Sequence, residues 1–179
     1  VKVLGYVPKV EDLVLESRHL GLVLPGEIES LKEKLNRLAA VLEESIDLDA
    51  FLALAYEAPD FTYETPELPK LSGGKKVRIG VAEDDAFCFT YRDNFQMLKD
   101  MGAELVPFSP IKDEKLPEGI DGLILSGGYP ELHAKALSEN ASMRRAIHDA
   151  VAAGLPCIAE CGGFLYLHRI LEGSDGVEY

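Results

Sequence analysis

The sequence predicts an α/β fold: a parallel, doubly wound sheet over residues 77–179, preceded by a mostly helical tail of a second domain. Three observations predict it. From Val77 onward, short apolar runs alternate with amphipathic segments, and Gly or Pro punctuates the alternation. The apolar runs Asp121–Ser126 and Cys157–Glu160 both lead into turns rich in glycine. Upstream, Ile28, Leu31, Leu35, Leu38 and Leu42 recur at three- and four-residue steps, which is a helical stripe.

Composition narrows the function classes. A hydrophobic fraction of 47% over 179 residues supports a packed core. A net charge of −13 argues against nucleic-acid and anionic-membrane partners, and no basic patch is evident along the chain. No apolar run is long enough to span a bilayer. No charged-then-apolar leader opens the chain, and its three cysteines lack metal-ligand spacing, so a reducing cytoplasm is expected and no metal site.

In chain order, Val1–Pro8 reads as a strand stopped by proline. Residues 9–27 show no clear period. The leucine stripe from Ile28 is an amphipathic helix, and Asp47 caps a shorter one through Ala55. Residues 57–76 carry three prolines and a Gly pair without periodicity, the clearest linker in the chain. The division is therefore 1–56, a linker over 57–76, and 77–179. Val77–Ala82 is a strand, Asn94–Met101 a helix ended by Gly102, and Glu104–Phe108 a strand that Pro107 places at an edge. Asp121–Ser126 is a buried strand. Ser142–Ala153 is a helix capped by Ser142 and ended by Gly154. Cys157–Glu160 is the last strand.

That last strand runs into Glu160-Cys161-Gly162-Gly163 and then an apolar helix. The small-x-nucleophile-x-Gly spacing makes a sharp elbow with Cys161 at its tip. The free N–H groups of a first helical turn favour a thiolate there. A lone cysteine before a Gly-rich turn is more often a buried structural residue, but the strand–elbow–helix context favours a nucleophile. In a doubly wound sheet the carboxyl ends of the strands share one edge. Gly127-Gly128 and Cys161 can therefore face each other across one crevice. An attacked carbonyl needs two N–H donors, and losing one costs on the order of 100- to 1,000-fold. Gly162 and the Gly pair can supply them, although the pair alone reads equally well as a tight turn. None of the four histidines is a convincing base. His19 precedes the linker, His148 reads as solvated and His168 points away on the elbow helix. His133, nearest the crevice, reads as a solvated or helix-start residue.

Three motifs carry a resemblance: Asp85–Asn94, Leu125–His133 and Ala159–Leu167. Together they resemble the glutamine amidotransferase domain of the cobyrinic acid a,c-diamide synthases, a class I (triad) amidotransferase with a flavodoxin-like fold. Leu4–Pro8 and Glu16–Leu22 resemble the end of the same enzymes' P-loop synthetase domain. The resemblance implies that Cys161 hydrolyses L-glutamine through a thioester, with the amides of Gly128 and Gly162 as the oxyanion hole. Gly127, Tyr129 and Glu131 are weaker candidates for glutamine contact. It implies ATP and Mg²⁺ bound outside this chain and a corrinoid substrate whose a and c acetates are amidated; the leucine stripe from Ile28, for its part, suggests pairing with another copy in a homodimer. The family's P-loop and catalytic histidine fall outside the sequence, so a chain cut at both ends, inactive alone, is expected. Hydrogenobyrinic acid and nickel sirohydrochlorin are alternative substrates. A non-catalytic binding module of the same fold is the rival class.

Overall fold

The computed structural model describes residues 1–15, 23–70 and 76–179. The motif Glu16–Leu22, with His19, and part of the linker, 71–75, lie outside the described residues. The chain divides into two compact units, Val1–Glu64 and Thr65–Tyr179.

The first unit is helical. Its helices are α1 (Leu31–Ser45) and α2 (Leu48–Tyr56). α1 starts three residues later than the leucine stripe suggests. Pro25 opens a 3₁₀ turn, and the Glu27 carboxylate accepts from Leu24 N–H at 3.0 Å, so the chain turns before it coils. The stripe on α1 is half-buried, and Leu35 remains 54% exposed. Asp47 caps α2 by accepting from Ala50 N–H at 2.9 Å. Val1–Pro8 is not a strand. Gly5 makes a single bridge to Ile46, and a lone extended segment without a neighbouring strand has no ladder to join.

The second unit is a four-stranded parallel sheet in the order β2-β1-β3-β4. The strands are β1 (Val77–Ala82), β2 (Ala103–Phe108), β3 (Gly122–Leu125) and β4 (Cys157–Ala159). Pro107 lies on the edge strand β2, as its missing N–H requires. α3 (Arg92–Asp100) connects β1 to β2, while α4 (Ala134–Glu139) and α5 (Ala141–Ala152) connect β3 to β4. β3 alternates strictly. Leu123 and Leu125 point into the core with Leu137, Met143 and Ile147, and Ile124 points to the face that carries α3. α5 is capped by Asn140, whose Oδ1 accepts from Met143 N–H, rather than by Ser142. Ser142 lies inside the helix and donates to the Glu114 carbonyl. α6 (Gly162–Tyr166) follows β4 and is only five residues long, so His168 lies beyond it rather than on it.

Candidate active site

β1 and β3 are neighbours, although β2 intervenes in sequence. The strand order reverses between them, and a crevice opens there at the carboxyl edge. Ser126-Gly127-Gly128 leaves β3 at this edge, and Glu160-Cys161 leaves β4 beside it. Glu160 N–H donates to Leu125 O at 3.1 Å, which holds the two exits in register.

Cys161 is exposed and adopts φ +50°, ψ −112°. Such a conformation in a non-glycine residue costs of order 1–3 kcal/mol and persists only where its surroundings impose it. The surroundings are glycines packed against backbone. A Cβ on Gly163 would lie 2.1 Å from Leu125 O, and one on Gly162 would lie 2.9 Å from both Gly128 N and Gly128 O. A side chain at either position would push the elbow off the sheet. A Cβ on Gly127 would stand 3.5 Å from Cys161 Cβ, so the turn after β3 lies in direct contact range of Cys161.

Gly128 and Gly162 are buried, and neither N–H has a hydrogen-bond acceptor among the described residues. Buried backbone donors are almost always paired. Gly128 N lies 2.9 Å from where a Cβ of Gly162 would stand, so two donors without an acceptor among the described residues lie close together near an exposed, strained thiol, an arrangement able to take up an oxyanion. With α6 so short, its contribution is the single Gly162 N–H and not a long helix dipole.

Tyr129 is 1% exposed, and its ring stands edge-to-face against Phe89 at 5.1 Å, so its side chain supports the turn from behind. Glu131 is half-buried in a 3₁₀ turn, and its carbonyl accepts from Ser174 N–H at 3.0 Å. A mostly apolar cavity of about 290 Å³ lies between α3 and the sheet, lined by Tyr91, Asn94, Met97 and Ile158, with Ser126 and Glu160 at the crevice end.

Among the described residues no histidine is bonded to the sulfur. His148 is exposed and 3.0 Å from Asp149, and His168 Nδ1 lies 3.0 Å from Phe164 O. His133 stands at the start of α4. None bonds to Cys161 among the described residues. The other two cysteines are half-buried, and burial pushes the Cys157 thiol up. The structure does collect basic side chains that are scattered in sequence. Arg144, His148, His168 and Arg169 line one groove between α5 and the segment after α6, away from the crevice.

Residues 78–179 match the family described as the CobB/CobQ-like glutamine amidotransferase domain. The chain belongs to this family. This amidotransferase domain also has curated relatives that align along the whole chain. Cobyrinate a,c-diamide synthase of Caldanaerobacter subterraneus subsp. tengcongensis is 45% identical over 179 residues, 100% of this chain and 39% of the relative. Those of Clostridium acetobutylicum and Thermoplasma volcanium are 44% and 43% identical, with 40% and 38% of the relative covered. The chain thus spans about two fifths of the length of these relatives. Among the described residues no helix is long and apolar enough to cross a membrane.

One feature of the amidotransferase crevice is legible only in the fold. The Asp84 carboxylate accepts four hydrogen bonds at the base of the crevice: from Ala86 N, Phe87 N, Ser109 Oγ and Ile111 N, at 2.9, 3.2, 2.8 and 3.0 Å. An aspartate just after a strand is a turn-forming signal, and that much could have marked it. Its two partners from the β2 exit are set by topology, and no local pattern announces them.

Proposed function

We propose that this chain is the glutamine-hydrolysing part of a cobyrinate a,c-diamide synthase. The observation that carries the proposal is Cys161, strained and exposed, near the N–H groups of Gly128 and Gly162, which have no acceptor among the described residues. The Cys161 sulfur attacks the side-chain carbonyl of L-glutamine. A C–S bond forms, and the C=O π pair moves to oxygen, where the two amides hold it. Collapse of the intermediate breaks the C–N bond and expels ammonia, leaving a thioester. Water then attacks the thioester, releases glutamate and restores the thiol. Gly127 and Glu131 flank the path of the glutamine, while the Tyr129 side chain backs the turn. The base that moves the protons is a histidine downstream of Tyr179, in keeping with the lack of one bonded to Cys161 among the described residues.

The ammonia amidates the a and c acetates of a corrinoid in cobalamin biosynthesis, in the cytoplasm. Activation of those carboxylates belongs to ATP and Mg²⁺ in the remainder of a longer polypeptide. Among the described residues no group of three or more His, Cys, Asp or Glu is placed to hold a metal. The half-open stripe of α1 is a packing face for the rest of the synthetase domain or for a second copy in a homodimer. The rival reading, a non-catalytic binding module, is favoured by the unassisted thiol alone.

The test is Cys161→Ala in the full-length polypeptide that carries residues 1–179. Glutamine-driven amidation of the corrinoid is expected to vanish, while amidation driven by added ammonia survives. Loss of both activities, or of neither, overturns the assignment.

A further inference from the structure

The geometry points to the turn Asp84–Phe89 as the device that holds the Gly127–Gly128 peptide in the orientation an oxyanion needs, with Asp84 as its positioning residue; this deepens the proposed glutaminase reading and rests on it.

A Gly-Gly peptide has no side chain on either flank to choose between its two faces. Rotated one way, Gly128 N–H points into the hollow beside Cys161. Rotated the other way, the Gly127 carbonyl points there, and a carbonyl oxygen repels an oxyanion. The structure makes the choice from outside the peptide. Phe89 N–H donates to Gly127 O at 3.0 Å. In a planar trans peptide the C=O and the next N–H point in opposite directions. Fixing Gly127 O toward Phe89 therefore turns Gly128 N–H away from Phe89, to the side where Gly128 N meets the Cα face of Gly162. Flipping the peptide would set Gly128 N–H against Phe89 N–H, donor against donor.

The latch is itself braced. Ala86 and Phe87 are fully buried, and the Ala86 carbonyl presses on Gly128 so closely that a Cβ there would lie 2.1 Å away. Asp84 closes the turn with its bonds to Ala86 N and Phe87 N. It ties the turn to the β2 exit with its bonds to Ser109 Oγ and Ile111 N. Phe87 leans edge-to-face on Tyr166 of α6 at 5.3 Å, and Phe89 leans on Tyr129 at 5.1 Å. One carboxylate thus anchors the loops after β1 and β2, and through Phe89 it sets the peptide that follows β3.

The experiment compares Asp84→Ala and Asp84→Asn with wild type in the full-length polypeptide, with two readouts. The first is glutamine hydrolysis set against the rate at which iodoacetamide alkylates Cys161, a displacement that builds no oxyanion. Asp84→Ala should lower kcat about 10- to 100-fold, with KM and the alkylation rate within about twofold of wild type. Asp84→Asn keeps the side-chain shape and one acceptor oxygen, and should recover part of kcat. The second readout is hydrogen exchange at the Phe89 amide. It should be protected in wild type, faster in Asp84→Ala and intermediate in Asp84→Asn, whether or not glutamine is turned over. A folded Asp84→Ala with unchanged kcat and unchanged Phe89 protection overturns the inference, as does a parallel fall of kcat and alkylation. Failure of the glutaminase reading shows separately, as hydrolysis that survives Cys161→Ala.

Discussion

Gly128→Ala tests packing and chemistry at one atom. The added methyl carbon would sit 2.1 Å from Ala86 O, 2.8 Å from Ala86 C and 3.0 Å from Phe87 Cα. Non-bonded carbon–oxygen contacts settle near 3.3 Å or beyond, so the two segments must separate by roughly 1.2 Å. All three obstructing atoms are backbone, so no rotamer change relieves the overlap. Overpacking of this kind costs about 1–3 kcal/mol, and losing the Phe89–Gly127 hydrogen bond adds about 1 kcal/mol. The sum, about 2–4 kcal/mol, lowers Tm by roughly 10–15 °C for a unit of this size. The same displacement moves a donor out of the hollow, and glutamine hydrolysis should fall on the order of 100- to 1,000-fold. Scanning calorimetry of the 179-residue chain reads the first effect, and a glutamate-release assay on the full-length polypeptide reads the second. Gly26, with nothing within 4 Å of its added Cβ, is the control. Gly26→Ala should shift stability by no more than about 0.5 kcal/mol. A Gly128→Ala protein with Tm within a few degrees of wild type refutes the packing argument. One that melts early yet hydrolyses glutamine at the wild-type rate removes Gly128 from the oxyanion hole.

Two further predictions concern stability. The Tyr166 hydroxyl is buried without a hydrogen-bond partner among the described residues, and burial first of all pushes its pKa up to about 12. Below pH 10 both the folded and the unfolded chain keep the proton. Between pH 10 and pH 12 only the unfolded chain releases it, so stability is full below pH 10 and falls as pH rises through 12, by roughly 2–3 kcal/mol. Tyr166→Phe should flatten that alkaline decline in urea melts at pH 9 and pH 12, and at pH 8 should leave stability unchanged or raise it by about 1 kcal/mol. Asp47→Ala should remove the cap of α2, cost about 1 kcal/mol locally, and speed hydrogen exchange at the Ala50 amide while leaving residues 77–82 unchanged.

The sheet was legible because its strands are short apolar runs separated by glycine and proline, and period alone marks them. The cap at Asp47 was equally local. Errors arose where a neighbour decides the outcome. Val1–Pro8 has strand composition and no partner strand among the described residues. Ser142 looked like a cap, but the chain enters α5 earlier because Asn140 also ties down the carbonyls of Pro110 and Asp113. The elbow itself could be read from Glu160-Cys161-Gly162-Gly163, since close backbone approach leaves room for nothing but glycine. What holds the facing peptide could not be read this way. Phe89 bonds to Gly127 across a separation of about forty residues, and only the parallel pairing of β1 with β3 brings the turn that begins at Asp84 beside it. The groove that holds Arg144 and Arg169 was invisible for the same reason, as the two arginines come to line it only through the fold.

The most direct measurement is the structure of the full-length polypeptide after reaction with a glutamine-analogue alkylator such as a diazo- or chloroketone. The label should be found on Cys161, and its ketone oxygen within about 2.7–3.1 Å of both Gly128 N and Gly162 N. A label on Cys88 or Cys157, or a ketone oxygen turned away from these two amides, contradicts the account.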